Sequence, residues 1–291
     1  MNNNIIISNK LNKNNNINQE DNKINLILQF FINTNFERQK EIEYVLKQNV
    51  NNSYINTIYL LNERIYTDKE LSISSSKIVQ INIGARLKFS DIFIFINNNN
   101  IKGYNIFLNS DIFFDDSIQN LLYSDLHNTK KMCSLLRYEF NFNDINKSQL
   151  FTTNLIDSQD TWIIHSNNKL SELEIINFNF EFGKPGCDNA LIYLFNKLNY
   201  EIINDPTAIK TYHYHASNNR LYSENDRVKK EYMFIVPYNI ETFNIETLNN
   251  KSVKYNTNII LIFLLLIVVF FILRNKDQIL TFLKSKLSRT H

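Results

Sequence analysis

Three short stretches hold the residues from which chemistry can be built. The first is YNIFLNSDIFFDDS, 104 to 117. It runs apolar to Asn109, Ser110 and Asp111, then through aromatics to Asp115 and Asp116. Asn109 and Asp111 are two apart, so on extended backbone their side chains point the same way. In an open α/β sheet, ligands bind beyond the carboxyl ends of the strands. A carboxylate there can hold a hard divalent ion, whose remaining ligands are water and diphosphate oxygens. The same pattern fits an aspartate that caps a turn. Asp115 and Asp116 fit the capping of a helix that starts near Ser117.

The second stretch is FEFGKPGCDNA, 180 to 190. The chain has 4 glycines and 3 prolines, and Gly183, Pro185 and Gly186 fall within this one stretch. They bring Asp188 to the start of a helix over 188–198, where it stands either as N-cap or as a base for an acceptor hydroxyl. The exposed N–H groups and dipole of the helix start favour its ionised form. The third stretch, TYHYHAS, sets His213 and His215 at alternate positions, in a chain with 5 histidines. On extended backbone both face one side, where they complete a manganese-type site, touch a phosphate, or simply pack as polar residues. SQDTWII adds Asp160 and Trp162, an acid beside the single tryptophan. Such a pair can hold a sugar ring.

The elements that must position these residues alternate. INLILQFF (24–31) reads as a buried strand. FERQKEIEYVLKQNV (36–50) places Ile42, Val45, Leu46 and Val50 at helical spacing, and INTIYLLNE (55–63) is a second strand. A strand, helix and strand in that order imply a parallel pair. KIVQINI (77–83) reads as a strand, LKFSDIFIFINNN as a helix capped near Ser90 with a strand as the alternative, and YNIFLNSD as a strand. SIQNLLYSDL (117–126) is helix-like, KMCSLLRYEF (131–140) strand-like, and TWIIHS (161–166) a short strand. EIIND and AIKTYHYHAS are short strands or extended chain.

At 291 residues and a net charge of +2, the chain has room for one or two domains and no electrostatic case for nucleic acid. Cys133 and Cys187 make no disulfide framework and suit a reducing compartment. The 49 asparagines read as compositional bias, so a lone asparagine carries no functional weight. Residues 1–23 are polar and expected to be disordered, and they make a poor signal peptide. Residues 24–240 form the expected domain and 241–256 a linker. IILIFLLLIVVFFIL (259–273) is apolar without a break. A span takes roughly 20 residues, so 257–274 is expected to be a transmembrane anchor followed by a basic tail, 275–291. That makes the expected localisation single-pass membrane with a C-terminal anchor. Charge bias favours a cytosolic tail, but a long upstream domain without a signal favours a cytosol-facing domain. QILTFLKSKL (278–287) could lie along a membrane surface.

Read in order, IYLLNE, GARLKFSDIF, IFLNSDIFFDDSI, SQDTWI and FGKPGCDNALIYLFNKLNYEIINDPTAIKTYHYHAS resemble the GT-A type of nucleotide-sugar glycosyltransferases. The likeness is to a branch with NSD, PGCDN and YHxH stretches, and it covers roughly residues 24 to 217. It implies a Rossmann-like, mostly parallel sheet flanked by helices. It also implies a nucleoside-diphosphate-sugar donor, a glycan, lipid or protein acceptor, and Mn²⁺ or Mg²⁺. Asn109-Ser110-Asp111 stands at the place of the acidic motif, with Asn109 where that motif has its first acid. Asp188 matches the general base of inverting members, and His213 or His215 a late metal ligand. Glu63 resembles a residue near the nucleotide base. The implied reaction is glycosyl transfer with inversion, although nothing in the sequence fixes the direction of attack. The rival readings are a non-catalytic, membrane-anchored binding protein of the same fold and a nucleotidyltransferase. Against the latter stands FFINTNFER, which lacks the glycine-rich first loop.

Overall fold

The computed structural model describes residues 19–153, 155–156, 158–217 and 223–238. The chain order is β1 (Ile24–Leu28), α1 (Phe36–Asn51), β2 (Thr57–Asn62), α2 (Asp68–Leu71), β3 (Ile78–Asn82), α3 (Phe89–Asn98), β4 (Tyr104–Leu108) and β5 (Ile112–Phe114). It continues with β6 (Lys131–Leu136), β7 (Tyr138–Glu139), β8 (Gln149–Leu150), β9 (Gln159–His165), α4 (Glu172–Ile175), α5 (Cys187–Lys197), β10 (Glu201–Ile203) and β11 (Thr211–His213).

Seven strands form the main sheet, in the order β10-β6-β9-β4-β1-β2-β3. Neighbours are parallel except β9, which runs antiparallel to both β4 and β6. The sheet is therefore mixed. Strand residues alternate between its faces. Leu26, Ile58, Ile106 and Leu108 pack with Ile42 and Leu46 of α1 on one face. Ile27, Leu61, Phe107 and Trp162 pack with Phe89 and Phe93 of α3 and Leu191 and Phe195 of α5 on the other. The chain leaves β1 toward β2 and β3, then returns to place β4 on β1's other side. The carboxyl ends of β1 and β4 thus flank a switch point, where an open α/β sheet leaves a crevice.

A second, four-stranded sheet has the order β5-β11-β7-β8. The stretch expected as one strand over 131–140 is two: β6 belongs to the main sheet and β7 to the small one. The register of β6 against β9 shifts between Leu135 and Leu136, and Arg137 sits at the break. The segment expected as a helix over 117–126 is a 3-10 helix, Asp116–Tyr123, capped by Asp115 through the Ser117 N–H. Order also begins before residue 24, with a 3-10 turn over Gln19–Asn22.

One part of the expected architecture needs correction. Among the described residues no helix is long and apolar enough to cross a membrane. The longest of them, α1, has 16 residues and a charged outer face, against roughly 20 apolar residues for a span. The transmembrane helix therefore drops out of the fold assignment. The single-pass localisation, the cytosol-facing orientation and the membrane as a partner are withdrawn with it. The expected linker, anchor and basic tail, and residues 1–18, lie outside the described residues.

Candidate active site

Asp111 lies in the turn between β4 and β5, closed by the Ile112 N–H on the Asn109 carbonyl at 3.2 Å. β5 pairs antiparallel with β11 and sets Ile112 opposite His213. The Tyr214 N–H then reaches the Asp111 carbonyl at 2.9 Å. This register brings both histidines to the Asp111 carboxylate. Oδ2 lies 3.3 Å from His213 Nε2, 3.8 Å from His215 Nδ1 and 2.5 Å from Arg38 Nη2. Oδ1 is buried and has no hydrogen-bond partner among the described residues.

The electrostatics follow from these contacts. Burial works to raise the Asp111 pKa, but His213 and Arg38 outweigh it and hold the carboxyl far below its usual range. Burial works to lower the His213 pKa, yet Asp111 and Glu139 carry it up to about 9. His215 moves the other way, lowered by burial and by Arg38. At neutral pH the pair is one imidazolium and one neutral imidazole.

Asp111, His213 and His215 offer donor atoms that all lie within 4.8 Å of one another. A carboxylate with two imidazoles suits a borderline divalent ion, and the orphaned Oδ1 is a spare hard donor. The set fits a divalent metal ion on these grounds.

From Asp111 a line of alternating charge crosses the site. His213 Nδ1 meets Glu139 Oε2 at 3.1 Å, and Arg137 Nε donates to Glu139 Oε1 at 2.9 Å. Arg137 Nη1 bonds Asp160, whose other oxygen accepts from Asn109 Nδ2 at 2.6 Å. On the far side Arg38 Nη1 donates to Glu41 at 2.8 Å. Burial alone would raise the Glu139 pKa, but His213 and Arg137 bring it down to about 2.

A cleft of about 660 Å³ lies over this line. Asn109, Asp111, Asp160, Asp188, His213 and His215 all line it, as does Glu63. Glu63 accepts from Gln29 Nε2 at 3.3 Å and from the Tyr66 hydroxyl. Asp188 is buried in the first turn of α5, whose N-cap is Gly186 at φ 75° rather than Asp188 itself. Trp162 is not in the cleft. It is fully buried, stacked on Phe107 and edge-on to Phe89 and Phe182.

Four participants escaped the sequence reading: Arg38, Glu41, Arg137 and Glu139. One signal for the first two was present. Arg38 and Glu41 fall on the same helical stripe as Ile42 and Val45, the face that α1 buries, and charges on an apolar stripe need partners.

No family model matches this chain, and no curated protein matches it. Solved structures do. A 4-diphosphocytidyl-2C-methyl-D-erythritol synthase aligns at 10% identity and a TM-score of 0.37, over 70% of this chain and 95% of its own. The synthase from Anaerococcus prevotii aligns at 10% and 0.39, over 71% and 93%. GalNAc-T7 with UDP, GalNAc and Mn²⁺ aligns at 9% and 0.42, over 67% of this chain and 44% of its own. At these values the alignments transfer no residue role, substrate or motif. The comparisons supply no donor or acceptor for this chain.

Proposed function

We propose that the cleft is a transferase active site and, in finer terms, that it moves a sugar from a nucleoside diphosphate to an acceptor hydroxyl. The observation that carries this reading is the meeting of Asp111, His213 and His215 in a cleft that Asp188 also lines. Asp111, His213 and His215 would hold the divalent ion. Once bound, that ion supplies positive charge against the diphosphate.

The protein's own groups do the rest. Asp188 accepts the acceptor hydroxyl's proton as its oxygen bonds to the anomeric carbon. The carbon–oxygen bond to the diphosphate breaks, and its electron pair leaves on the diphosphate. His213 and Arg38 keep Asp111 ionised. Glu63 and Gln29 face the end of the cleft suited to a nucleobase edge, and Asp160, held by Arg137 and Asn109, faces the acceptor.

The test is release of nucleoside diphosphate from UDP- and GDP-sugars with Mn²⁺ and a panel of acceptors. Asp188→Asn should lower turnover by about 10²- to 10⁴-fold and leave donor affinity, read by calorimetry, nearly unchanged. Donor binding without transfer or hydrolysis by the unmodified protein would overturn the transferase reading. Equal loss of binding and turnover in Asp188→Asn would overturn the base assignment.

A further inference from the structure

His215 differs from His213 in what holds it. His213 belongs to β11, with its Nδ1 on Glu139 and its backbone in the ladder. His215 lies beyond the end of that strand. Among the described residues its ring has no hydrogen-bond partner within bonding distance; Asp111 Oδ2 lies 3.8 Å from its Nδ1, and the His213 ring 5.5 Å away, centroid to centroid. The backbone on either side of it must therefore set where the ring points.

That backbone is fastened to α1 by two side chains. Before His215, the Tyr214 carbonyl accepts from Arg38 Nη1 at 3.2 Å. After it, the Ala216 and Ser217 N–H groups both donate to Glu41 Oε1, at 2.9 and 2.7 Å. Ser217 Oγ donates to Glu41 Oε2 at 3.0 Å, and the same oxygen takes Arg38 Nη1 at 2.8 Å. Glu41 is 3% exposed and does not line the cleft. A carboxylate buried with four donors on two oxygens has no remaining capacity for a ligand. Every one of its bonds goes to the strap that carries His215 or to the arginine that holds Asp111.

We infer that Glu41 is a positioning residue, which clamps the 214–217 strap to α1 and so holds His215 toward Asp111. The inference rests on the metal-assisted reading of the site only for its effect on metal affinity. The positioning itself is a property of the metal-free protein. Glu41→Gln keeps one oxygen and turns an amide toward Arg38 or Ser217, so the clamp loses an acceptor.

The first measurement is metal-free. In histidine-labelled protein the rings of His213 and His215, whose centroids lie 5.5 Å apart, should give a ring-to-ring NOE. Glu41→Gln should lose it while the His213 resonances stay in place. A retained NOE overturns the inference. The second measurement is Mn²⁺ titration with electron spin echo modulation. The unmodified protein should show two imidazole nitrogens on the ion. Glu41→Gln should show one, with affinity lowered about ten-fold or more. Two imidazoles at unchanged affinity also overturn the clamp. If the unmodified protein shows no imidazole coupling, the metal reading fails while the NOE still decides the positioning. If Glu41→Gln does not fold, amide exchange in the unmodified protein decides. Slow exchange at Ala216 and Ser217, comparable to β11, supports the clamp, and fast exchange overturns it.

Discussion

Replacing Arg38 by Met removes the cation that Asp111 and Glu41 share and keeps an aliphatic stem of similar length in its place. Arg38 makes three contacts: Asp111 at 2.5 Å, Glu41 at 2.8 Å and the Tyr214 carbonyl at 3.2 Å. Its side chain is 8% exposed, and those of Glu41 and Asp111 are 4% and 11% exposed. Removing one partner from a buried ion pair costs about 3–5 kcal/mol, because the other charge stays buried. Here neither carboxylate is stranded. Asp111 keeps His213 at 3.3 Å, and Glu41 keeps the two strap amides and the Ser217 hydroxyl. The expected loss therefore sits at the low end, about 3 kcal/mol, read as a shift in urea midpoint at pH 7. The metal reading adds a second, opposite effect. Without Arg38 the site has one positive charge fewer, and Glu41 still holds the strap of His215 through Ala216 and Ser217, so Mn²⁺ should bind the variant more tightly than the parent. At a hundred-fold excess over Kd a ligand stabilises the folded state by about 2.7 kcal/mol, so Mn²⁺ should restore most of what Arg38→Met loses. A loss under about 1 kcal/mol would refute the account of Arg38 as a shared buried cation. A variant that Mn²⁺ stabilises less than the parent would refute the placement of the ion at Asp111.

Three further outcomes are expected. Asp111→Asn should abolish the Mn²⁺-dependent rise in Tm, and an unchanged rise would place the ion elsewhere. Gly186→Ala should destabilise by about 1–2 kcal/mol, the cost of a side chain in left-handed backbone. The added Cβ would also lie 2.8 Å from the Tyr232 hydroxyl, and a Tm equal to the parent's would show that the α5 entry tolerates it. His165 is fully buried: its Nε2 faces the Asp21 carbonyl at 2.9 Å and its Nδ1 accepts from the Asn167 N–H at 3.2 Å. Burial holds its pKa below the ordinary 6.5. As pH falls below 6.5 the unfolded chain takes up this proton before the folded one does. Stability should then drop by up to about 1.4 kcal/mol per pH unit. The change in urea midpoint between pH 7 and 5.5 should shrink in His165→Gln, and an identical change would refute the assignment.

The sequence made the strands and helices legible wherever one period dominated. The β1–α1–β2 unit is a parallel pair joined by a helix, and the apolar run over 89–98, open to either reading, is a helix with Ile92, Phe93 and Ile96 buried. What it hid depends on tertiary context. The run 131–140 has no turn residue to mark where β6 ends, because a register shift and the pull of a second sheet make the break. The asparagines were discounted as bias, yet Asn49 bonds both the Ile112 carbonyl and the Phe114 N–H, and so ties β5 to α1. His213 and His215 were legible as candidates because the chain has 5 histidines and these two stand at alternate positions, and Asp111 because it ends a strand-like apolar run. Arg38 and Glu41 lie 73 and 176 residues from their partners Asp111 and Ser217. Trp162 was misleading for another reason: it shares a face with Asp160 two residues before it, but lies further along β9, where it is buried against Phe89, Phe107 and Phe182.

The line of paired charges, buried except at Glu139, also bears on what holds the small sheet. Glu41, Arg38, Asp111, His213, Glu139, Arg137 and Asp160 alternate in sign once His213 is protonated. They come from α1, the β4–β5 turn, β11, β7, the β6–β7 break and β9. No two neighbours in this line share an element except Arg38 and Glu41, so the line forms only when the elements are docked. Each interior charge meets opposite charges on both sides, which is the condition under which burial of ions is tolerated. The strands β5, β7 and β11 are two or three residues long, too short to be independently stable. The ladder through Ile112–His213 and the ion pairs through Glu139 and Asp111 therefore stabilise the same piece of chain. Perturbing either should loosen both, and this makes the histidine pair the part of the cleft most sensitive to substitutions outside it.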